Sequence, residues 1–148
     1  MENKIESDTE IGEQEETGDY LHLFIYRAPK KNNDAIAKNL MQFVPWFKKN
    51  GVRVEYYQLG KSETQGAIDS AKESGMDVMD SIAKTLSLDG DAEEVWIEQQ
   101  YFRDHQHCEE VYAKMMQDKS IEPLGSEFFG LVTQGKKLIT GGFIRLRA

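Results

Sequence analysis

The order of strand-like and helix-like segments is the feature that most constrains how this chain can fold. Four segments alternate their side chains with a period of two, as β-strands do: residues 20–27, 52–59, 94–102 and 138–147. Amphipathic helical segments separate the first strand from the second and the third from the fourth. The resulting βαββαβ order, with short right-handed crossovers, predicts a ferredoxin-like α+β fold: an antiparallel sheet with both helices on one face.

Both helical segments carry signals for their ends. The first begins at Asn33 or Asp34, either of which can act as the cap, and contains Pro45, which should kink it or leave its last turn irregular. Gly51 should end it in a left-handed conformation. The second helix follows Asp104, which is expected to be its N-cap.

Two stretches lie outside this core pattern. Residues 62–88 carry apolar side chains at roughly helical spacing, interrupted by Gly75, and predict a helical insertion formed by one broken helix or two short ones. Residues 118–137 contain one proline and three glycines, which favours a long loop, with at most a short helical turn at 126–129.

Charge separates the chain into an arm and a body. Of the net charge of -8, residues 1–19 contribute -7, from eight acidic side chains and one lysine, so the remainder carries only -1. A segment this charged and this poor in apolar residues is expected to be disordered. We therefore predict a disordered acidic arm over residues 1–18, serving as a solubilising extension or as a docking tail, and a single domain over 19–148.

Several classes of protein are disfavoured by composition. The start of the chain lacks the pattern of a signal peptide, and no apolar run approaches the ~20 residues of a membrane span. The near-neutral body offers no basic patch for nucleic acid. The expectation is a cytoplasmic protein that contacts neither membrane nor nucleic acid, and whose single cysteine forms no internal disulfide.

Strand alternation divides the sheet side chains into two sets. We expect an aliphatic set to face the helices, comprising Leu21, Leu23, Ile25, Val52, Val54, Val95, Ile97, Leu138, Ile144 and Leu146. The opposite face would then carry a second set, called here the aromatic set, made of His22, Phe24, Tyr26, Tyr57, Trp96, Glu98, Gln100, Phe143 and Arg145.

Large rings on an open sheet face indicate an interface or a ligand site. One interpretation is a homodimer in which this face packs on a second copy. The other is a pocket for a small ligand, lined by the aromatic set without Tyr57, that is by His22, Phe24, Tyr26, Trp96, Glu98, Gln100, Phe143 and Arg145.

Three functions remain open on these residues. The leading one is binding of a small ligand, with no cofactor. An enzyme that needs no cofactor, of the monooxygenase or isomerase type, would use His22 as its base with Glu98 orienting it. A protein-interaction module would instead use the acidic arm or the helical insertion.

Two adjacent glycines interrupt the last strand, where glycine weakens a strand unless something requires it. Gly142 should face the helices and allow one of them to approach closely. Gly141 should leave room beside the aromatic set or permit a bulge. Alternatively, the pair forms a bulge that bends the strand.

The segment 104–108, "DHQHC", gathers possible metal ligands but does not predict a metal site. His105 and His107 point to different sides of a helix, and His105 with Cys108 supplies only two ligands. Cys108 also begins the apolar stripe of its helix, which predicts a buried structural thiol.

Residues 94–145 contain a strand with the pair Trp96–Ile97, the helix pattern K-x-M-x-D at 114–118, and "GKKLITGGF" at 135–143. In these motifs the chain resembles the YbaA-like family of uncharacterised proteins. The resemblance implies a dimeric α+β barrel, in which two ferredoxin-like sheets pack face to face, and implies no activity. The acidic arm and the insertion depart from the family pattern.

Overall fold

The computed structural model describes residues 16–88 and 90–147. Four strands and five helices follow one another in this part of the chain: β1 Tyr20–Pro29, α1 Asn33–Lys49, β2 Arg53–Gln58, α2 Lys61–Glu73, α3 Ile82–Thr85, β3 Glu93–Phe102, α4 His105–Gln117, α5 Glu122–Leu131 and β4 Ile139–Ile144.

The four strands form one antiparallel sheet in the order β2-β3-β1-β4. Each βαβ crossover, through α1 and through α4, therefore places its two strands on either side of a third strand. This is the ferredoxin-like arrangement, and the predicted α+β fold is confirmed.

Local sequence signals set the end of α1 and the start of α4. The predicted cap of α1 at Asn33 or Asp34 is wrong, because both residues lie inside the helix and Asn32 precedes it without a side-chain capping bond. Gly51 has a φ of +75° and follows the last turn of α1, as the left-handed stop requires. Pro45 lies inside α1, which continues to Lys49. The Asp104 carboxylate accepts a hydrogen bond from the backbone N–H of His107 at 2.8 Å and caps α4.

The insertion forms two helices, α2 and α3, as one of the two predicted alternatives. Ser81 caps α3 by accepting a hydrogen bond from the backbone N–H of Lys84 at 3.1 Å. The Arg27 guanidinium of β1 donates to the carbonyl of Leu86 just after α3, which ties the insertion to the sheet.

The predicted loop over 118–137 is wrong in its central part, because residues Glu122–Leu131 form the helix α5. Its proline occupies the first turn, where the missing N–H costs no hydrogen bond. Gly125 and Gly130 face open space, so neither reflects a backbone constraint. The Phe128 ring of α5 packs edge-on against Tyr26 of β1, with ring centroids 5.0 Å apart.

Two hydrophobic clusters fill the space between the sheet and the helices. The first, called the Tyr26 cluster, comprises Tyr26, Ala28, Ile36, Leu40, Trp96, Phe128 and Val132. The second, called the Phe102 cluster, comprises Phe47, Val52, Phe102, Cys108 and Val111.

The predicted orientation of the sheet is reversed for two of the four strands. In β2 and β4, Val54 and Ile144 lie on the helix side as predicted, because they pair with Gln100 and Tyr20. In β1 and β3, however, the aromatic set faces the helices: Tyr26 packs on α5 and pairs with Trp96.

The aliphatic side chains of β1 and β3 consequently lie on the other side of the sheet, called here the outer face: Leu21, Leu23, Ile25, Val95 and Ile97, together with Tyr57, Ile139 and Phe143. The insertion covers one end of this face, since Arg27 reaches Leu86 there and Val95 is buried. Both sets contain large apolar side chains, aliphatic in one and aromatic in the other, so alternation identified the sets without deciding which one the helices cover.

The paired glycines form no bulge, because the register of β4 against β1 continues unbroken from Ile139 to Ile144. Gly142 pairs with His22 and faces the helix side, as predicted. The space beside it is filled by the side chain of Tyr20 from the neighbouring strand, whereas a closely approaching helix was predicted. Gly141 pairs with Leu23 on the outer face, away from the aromatic rings of β1 and β3.

Residues 1–15, most of the predicted acidic arm, lie outside the described part of the chain. The residues that follow already contact the body. Glu16 pairs with Arg53 at 2.8 Å, and the Thr17 hydroxyl donates to the carbonyl of Arg103 at 2.9 Å. The disordered arm therefore stays a prediction for residues 1–15.

Candidate functional site

The structure brings together six of the eight residues predicted to bind a ligand. They are the members of the aromatic set in β1 and β3, all on the helix side: His22, Phe24, Tyr26, Trp96, Glu98 and Gln100. Strand pairing sets Tyr26 opposite Trp96, Phe24 opposite Glu98 and His22 opposite Gln100. The six side chains therefore form three rows, of which the first belongs to the Tyr26 cluster and the other two extend from it toward the Phe102 cluster.

Phe143 and Arg145 do not join this group, contrary to the prediction. Phe143 pairs with Leu21 on the outer face, and both residues line a surface pocket of about 280 Å³ together with Arg53 and Tyr101. The Arg145 guanidinium is used locally, since it donates to the carbonyl of Thr17 at 3.0 Å. The sheet separates this pocket from the six interior residues.

A chain of hydrogen bonds connects His22 to Glu98 through the interior. The Nε2 of His22 lies 2.7 Å from the Thr140 hydroxyl, and its Nδ1 lies 2.6 Å from the hydroxyl of Tyr112 in α4. That hydroxyl donates to Gln100 Oε1, and Gln100 Nε2 donates to Glu98 Oε2 at 2.5 Å.

When Glu98 is ionised, the chemistry of its members gives this chain one direction. Ionised Glu98 can only accept, so the amide nitrogen of Gln100 faces it and the amide oxygen faces Tyr112. Because the Tyr112 proton is used on Gln100, the hydroxyl oxygen accepts from His22 Nδ1–H. His22 Nε2 is then unprotonated and accepts from the Thr140 hydroxyl, which fixes the neutral Nδ1–H tautomer.

His22 and Glu98 are therefore connected through Tyr112 and Gln100 and make no direct contact. The sequence-based hypothesis had Glu98 orient His22 directly. Desolvation by burial lowers the pKa of His22, which favours the neutral ring. Tyr112, which connects them, lies on α4 and was not predicted as a site residue.

Glu98 is the most perturbed acid of the site. It lies on β3 between Trp96, in the Tyr26 cluster, and Phe102, in the Phe102 cluster. Burial raises the pKa of Glu98 to about 7, and the hydrogen bond from Gln100 partly opposes this shift. A carboxyl group with this pKa exchanges its proton near neutral pH, as an acid or base of catalysis does.

Three polar groups beside Glu98 are buried without a hydrogen-bond partner: the hydroxyls of Tyr26 and Tyr56 and the indole Nε1 of Trp96. They are neighbours by strand pairing, since Tyr26 lies opposite Trp96 and Tyr56 lies opposite Glu98. Burial, with a further contribution from the charge of Glu98, raises the pKa of both tyrosines, so both stay protonated. We call Tyr26, Tyr56, Trp96 and Glu98 the interior polar site.

Tyr56 was missed as a site residue from the sequence. It alternates with Val52 and Val54, which were expected to face the helices, and no site was expected on that side. If the aromatic residues of β1 and β3 had been assigned to the helix side, Tyr56 would have been predicted as a residue of the same site.

The "DHQHC" segment serves structural purposes. The buried His107 ring accepts from the Arg103 backbone N–H at 3.1 Å and donates to the Asn50 carbonyl at 2.8 Å, while exposed His105 lies 3.3 Å from Glu109. Cys108 is buried, which raises the pKa of its thiol to about 11. Across residues 16–88 and 90–147, no three His, Cys, Asp or Glu side chains are grouped so that they could hold a metal ion.

Within the same described residues, no helix has both the length and the apolar character needed to cross a membrane.

Comparison with known proteins gives a distant structural likeness. No family model matches the chain, and no curated protein matches it. The solved structure of SnoaB, a cofactor-independent oxygenase from Streptomyces nogalater, in an asparagine-to-alanine mutant, is similar with a TM-score of 0.47 and 12% sequence identity. The alignment covers 88% of this chain and 96% of that one. The ferredoxin-like assignment comes from the order and pairing of this chain's own strands.

Proposed function

We propose that this protein binds a small molecule between its sheet and its helices, at the interior polar site. The observation that carries the proposal is the burial of Tyr26 Oη, Tyr56 Oη and Trp96 Nε1 without hydrogen-bond partners, beside Glu98. A single buried polar group left unpaired costs roughly 1–3 kcal/mol of stability. Three such groups in one place favour a site that a bound molecule completes.

The surroundings of the site suit an organic ligand. The rings of Tyr26, Trp96 and Phe128 belong to one cluster and supply apolar contact area. Most small-molecule sites combine apolar walls with a few polar groups that fix orientation. The interior polar site has this composition. The proposal keeps the sequence-based expectation of a cytoplasmic protein that needs no cofactor.

The outer face is proposed as the surface of a homodimer. It presents Leu23 and Ile25 from β1 beside Tyr57 and Phe143, whose side chains are each 51% exposed. An apolar sheet face of this kind is commonly covered by a second copy about a two-fold axis. The motif resemblance to the YbaA-like family supports the same arrangement, with the aliphatic residues of β1 and β3 at the interface in place of the aromatic ones.

Catalysis without a cofactor is the second candidate function, and the position of Glu98 favours it. Glu98 replaces His22 as the proposed base, because it lies beside the unpaired groups and its pKa is raised to about 7. His22 reaches the site only through Tyr112 and Gln100, so it becomes a positioning residue.

A thermal-shift screen of small molecules tests ligand binding directly. The wild type should be stabilised by a subset of compounds. The double variant Tyr26→Phe/Tyr56→Phe should lose most of each shift, because the hydroxyls that hold the ligand are gone. Tyr57→Phe, which removes an exposed hydroxyl from the adjacent position of β2, should retain it.

A crystal structure of the purified protein provides the second half of the test. A bound organic molecule in contact with Trp96 Nε1 would support the proposal. Ordered water as the sole partner of all three groups, together with compounds that stabilise the double variant as well as the wild type, would overturn it.

A further inference from the structure

We infer that the ligand of the interior polar site presents a neutral carbonyl oxygen, which satisfies the unpaired polar groups of Tyr26, Tyr56 and Trp96. The inference rests on the proposed function and assigns a chemical class to the molecule bound there.

Hydrogen-bonding capacity sets the first requirement. The indole N–H of Trp96 can only donate, so the group that satisfies it must be an acceptor. The hydroxyls of Tyr26 and Tyr56 can donate or accept, and their raised pKa values keep both protons in place. A carbonyl oxygen has two lone pairs and can accept two hydrogen bonds, and a hydroxyl that donates to it can itself accept from the other hydroxyl, so one carbonyl is the simplest partner that satisfies all three.

Charge sets the second requirement. Glu98 faces the same space, and its pKa is governed by its own burial and by the hydrogen bond from Gln100. The titratable groups that face it are Tyr26 from β1, Tyr56 from β2 and Tyr112 from α4, all neutral below pH 9 because burial raises their pKa values. A second carboxylate placed there would meet a buried negative charge with only neutral partners, which is costly. A ketone, ester or amide avoids this cost.

The walls set the third requirement. Tyr26 is 3% exposed and Trp96 8% exposed, and the Phe128 ring lies edge-on to Tyr26. Aromatic rings in such a setting pack best against a flat apolar body. An aromatic ketone combines both features, and acetophenone is the probe we choose.

The two tryptophans of the chain allow a direct measurement. Trp96 Nε1–H has no partner, whereas Trp46 Nε1–H donates to Asp118 Oδ2 at 2.7 Å. In proton–nitrogen spectra of the wild-type protein, acetophenone should move the Trp96 indole proton downfield as it gains an acceptor. The Trp46 signal should stay in place as an internal control.

Two further probes test the class of ligand. In α-methylstyrene a methylene group replaces the carbonyl oxygen, so this compound should leave the Trp96 proton without a downfield shift. In benzoate a negatively charged carboxylate replaces the methyl ketone group of acetophenone. Benzoate should therefore bind at least tenfold more weakly than acetophenone at pH 8, where Glu98 is ionised. Tyr56→Phe should weaken acetophenone binding about tenfold, the equivalent of one hydrogen bond, and Tyr57→Phe should not.

Equal downfield shifts with acetophenone and α-methylstyrene would overturn the carbonyl inference, and so would tighter binding of benzoate. In either case the proposed binding function would stand, since a ligand would still occupy the site. A Trp96 signal that none of the three probes moves would also overturn the inference. The proposed function would then be decided separately by the thermal-shift screen.

Discussion

The ring of Tyr20 occupies the place where a side chain on residue 142 would begin. A Cβ added to Gly142 would lie 2.7 Å from Tyr20 Cζ and in closer contact still with the Tyr20 hydroxyl. The two residues belong to neighbouring strands, and Gly142 pairs with His22, two positions along β1 from Tyr20. Residue 142 is therefore glycine because a side chain there would collide with the Tyr20 ring. This requirement explains a glycine at a position where it weakens the strand.

Gly142→Ala should destabilise the protein by about 1–3 kcal/mol, since the ring must move to admit the methyl group. Chemical denaturation of both proteins measures the change. Gly141→Ala is a matched control on the outer face, where the nearest atoms belong to the exposed ring of Phe143 and can shift at small cost. In a double-mutant cycle, Tyr20→Ala should remove most of the penalty at position 142. Equal costs at both glycines would contradict this explanation.

Stability should fall as pH rises from about 4.5 to 7 because of Glu98. The pKa of Glu98 is raised from 4.5 to about 7 in the folded protein, so the native state holds this proton more tightly than the unfolded state. The resulting stability is fully present below pH 4.5 and is lost as pH rises through 7. Its size is at most about 3 kcal/mol at 1.36 kcal/mol per pKa unit.

Glu98→Gln should abolish this contribution. Urea denaturation of wild type and variant between pH 4 and 8 measures the difference in free energy of unfolding, which should change by up to about 3 kcal/mol in favour of the variant as pH rises. Glu55→Gln, at an exposed ion pair with Arg53, serves as the control. A pH-independent difference between Glu98→Gln and the wild type would show that Glu98 titrates normally.

Tyr112→Phe should cost about 1–3 kcal/mol, because it leaves Gln100 Oε1 and His22 Nδ1–H without their partner. The same change should release His22 from its Nδ1–H tautomer, which nitrogen-15 chemical shifts of the ring report. Tyr57→Phe, whose hydroxyl lies 3.4 Å from Glu55 in an exposed position, should alter neither quantity. A wild-type ring in the Nε2–H form at pH 8, where Glu98 is ionised, would contradict the direction assigned to the chain.

Phe143→Glu should convert the proposed homodimer to monomers, because it puts a charge on the outer face while leaving the packed interior unchanged. Sedimentation velocity at micromolar concentration measures the result. Met116→Glu on α4, where the side chain is 89% exposed, is the control and should leave the dimer intact. A wild-type protein that sediments as a monomer would refute the dimer.

Trp96→Glu distinguishes the two faces of the sheet. Since Trp96 is 8% exposed under the helices, a buried charge there should unfold the protein rather than dissociate it. Loss of the dimer with an unchanged melting temperature would mean that the Trp96 side is the interface.

The sequence by itself determined the order of strands and helices and hence the ferredoxin-like fold. It also determined where α4 begins and where α1 ends, since Asp104 and Gly51 act through local backbone chemistry that needs no distant partner. It failed for α5, because Gly125 and Gly130 were taken as breaks in a helix that packing of Phe128 against Tyr26 stabilises.

Only the tertiary structure decided which side of β1 and β3 the helices cover. Each side of these strands carries large apolar side chains, so hydrophobic alternation separates the two sides without setting the orientation, and packing selects it. The gap beneath the helices is filled by the rings of Tyr26 and Trp96, while Leu23 and Ile97 lie on the outer face. The candidate site depends on that choice, because Tyr56, Tyr112 and Glu98 are far apart in sequence and meet only when three strands and a helix enclose the same space.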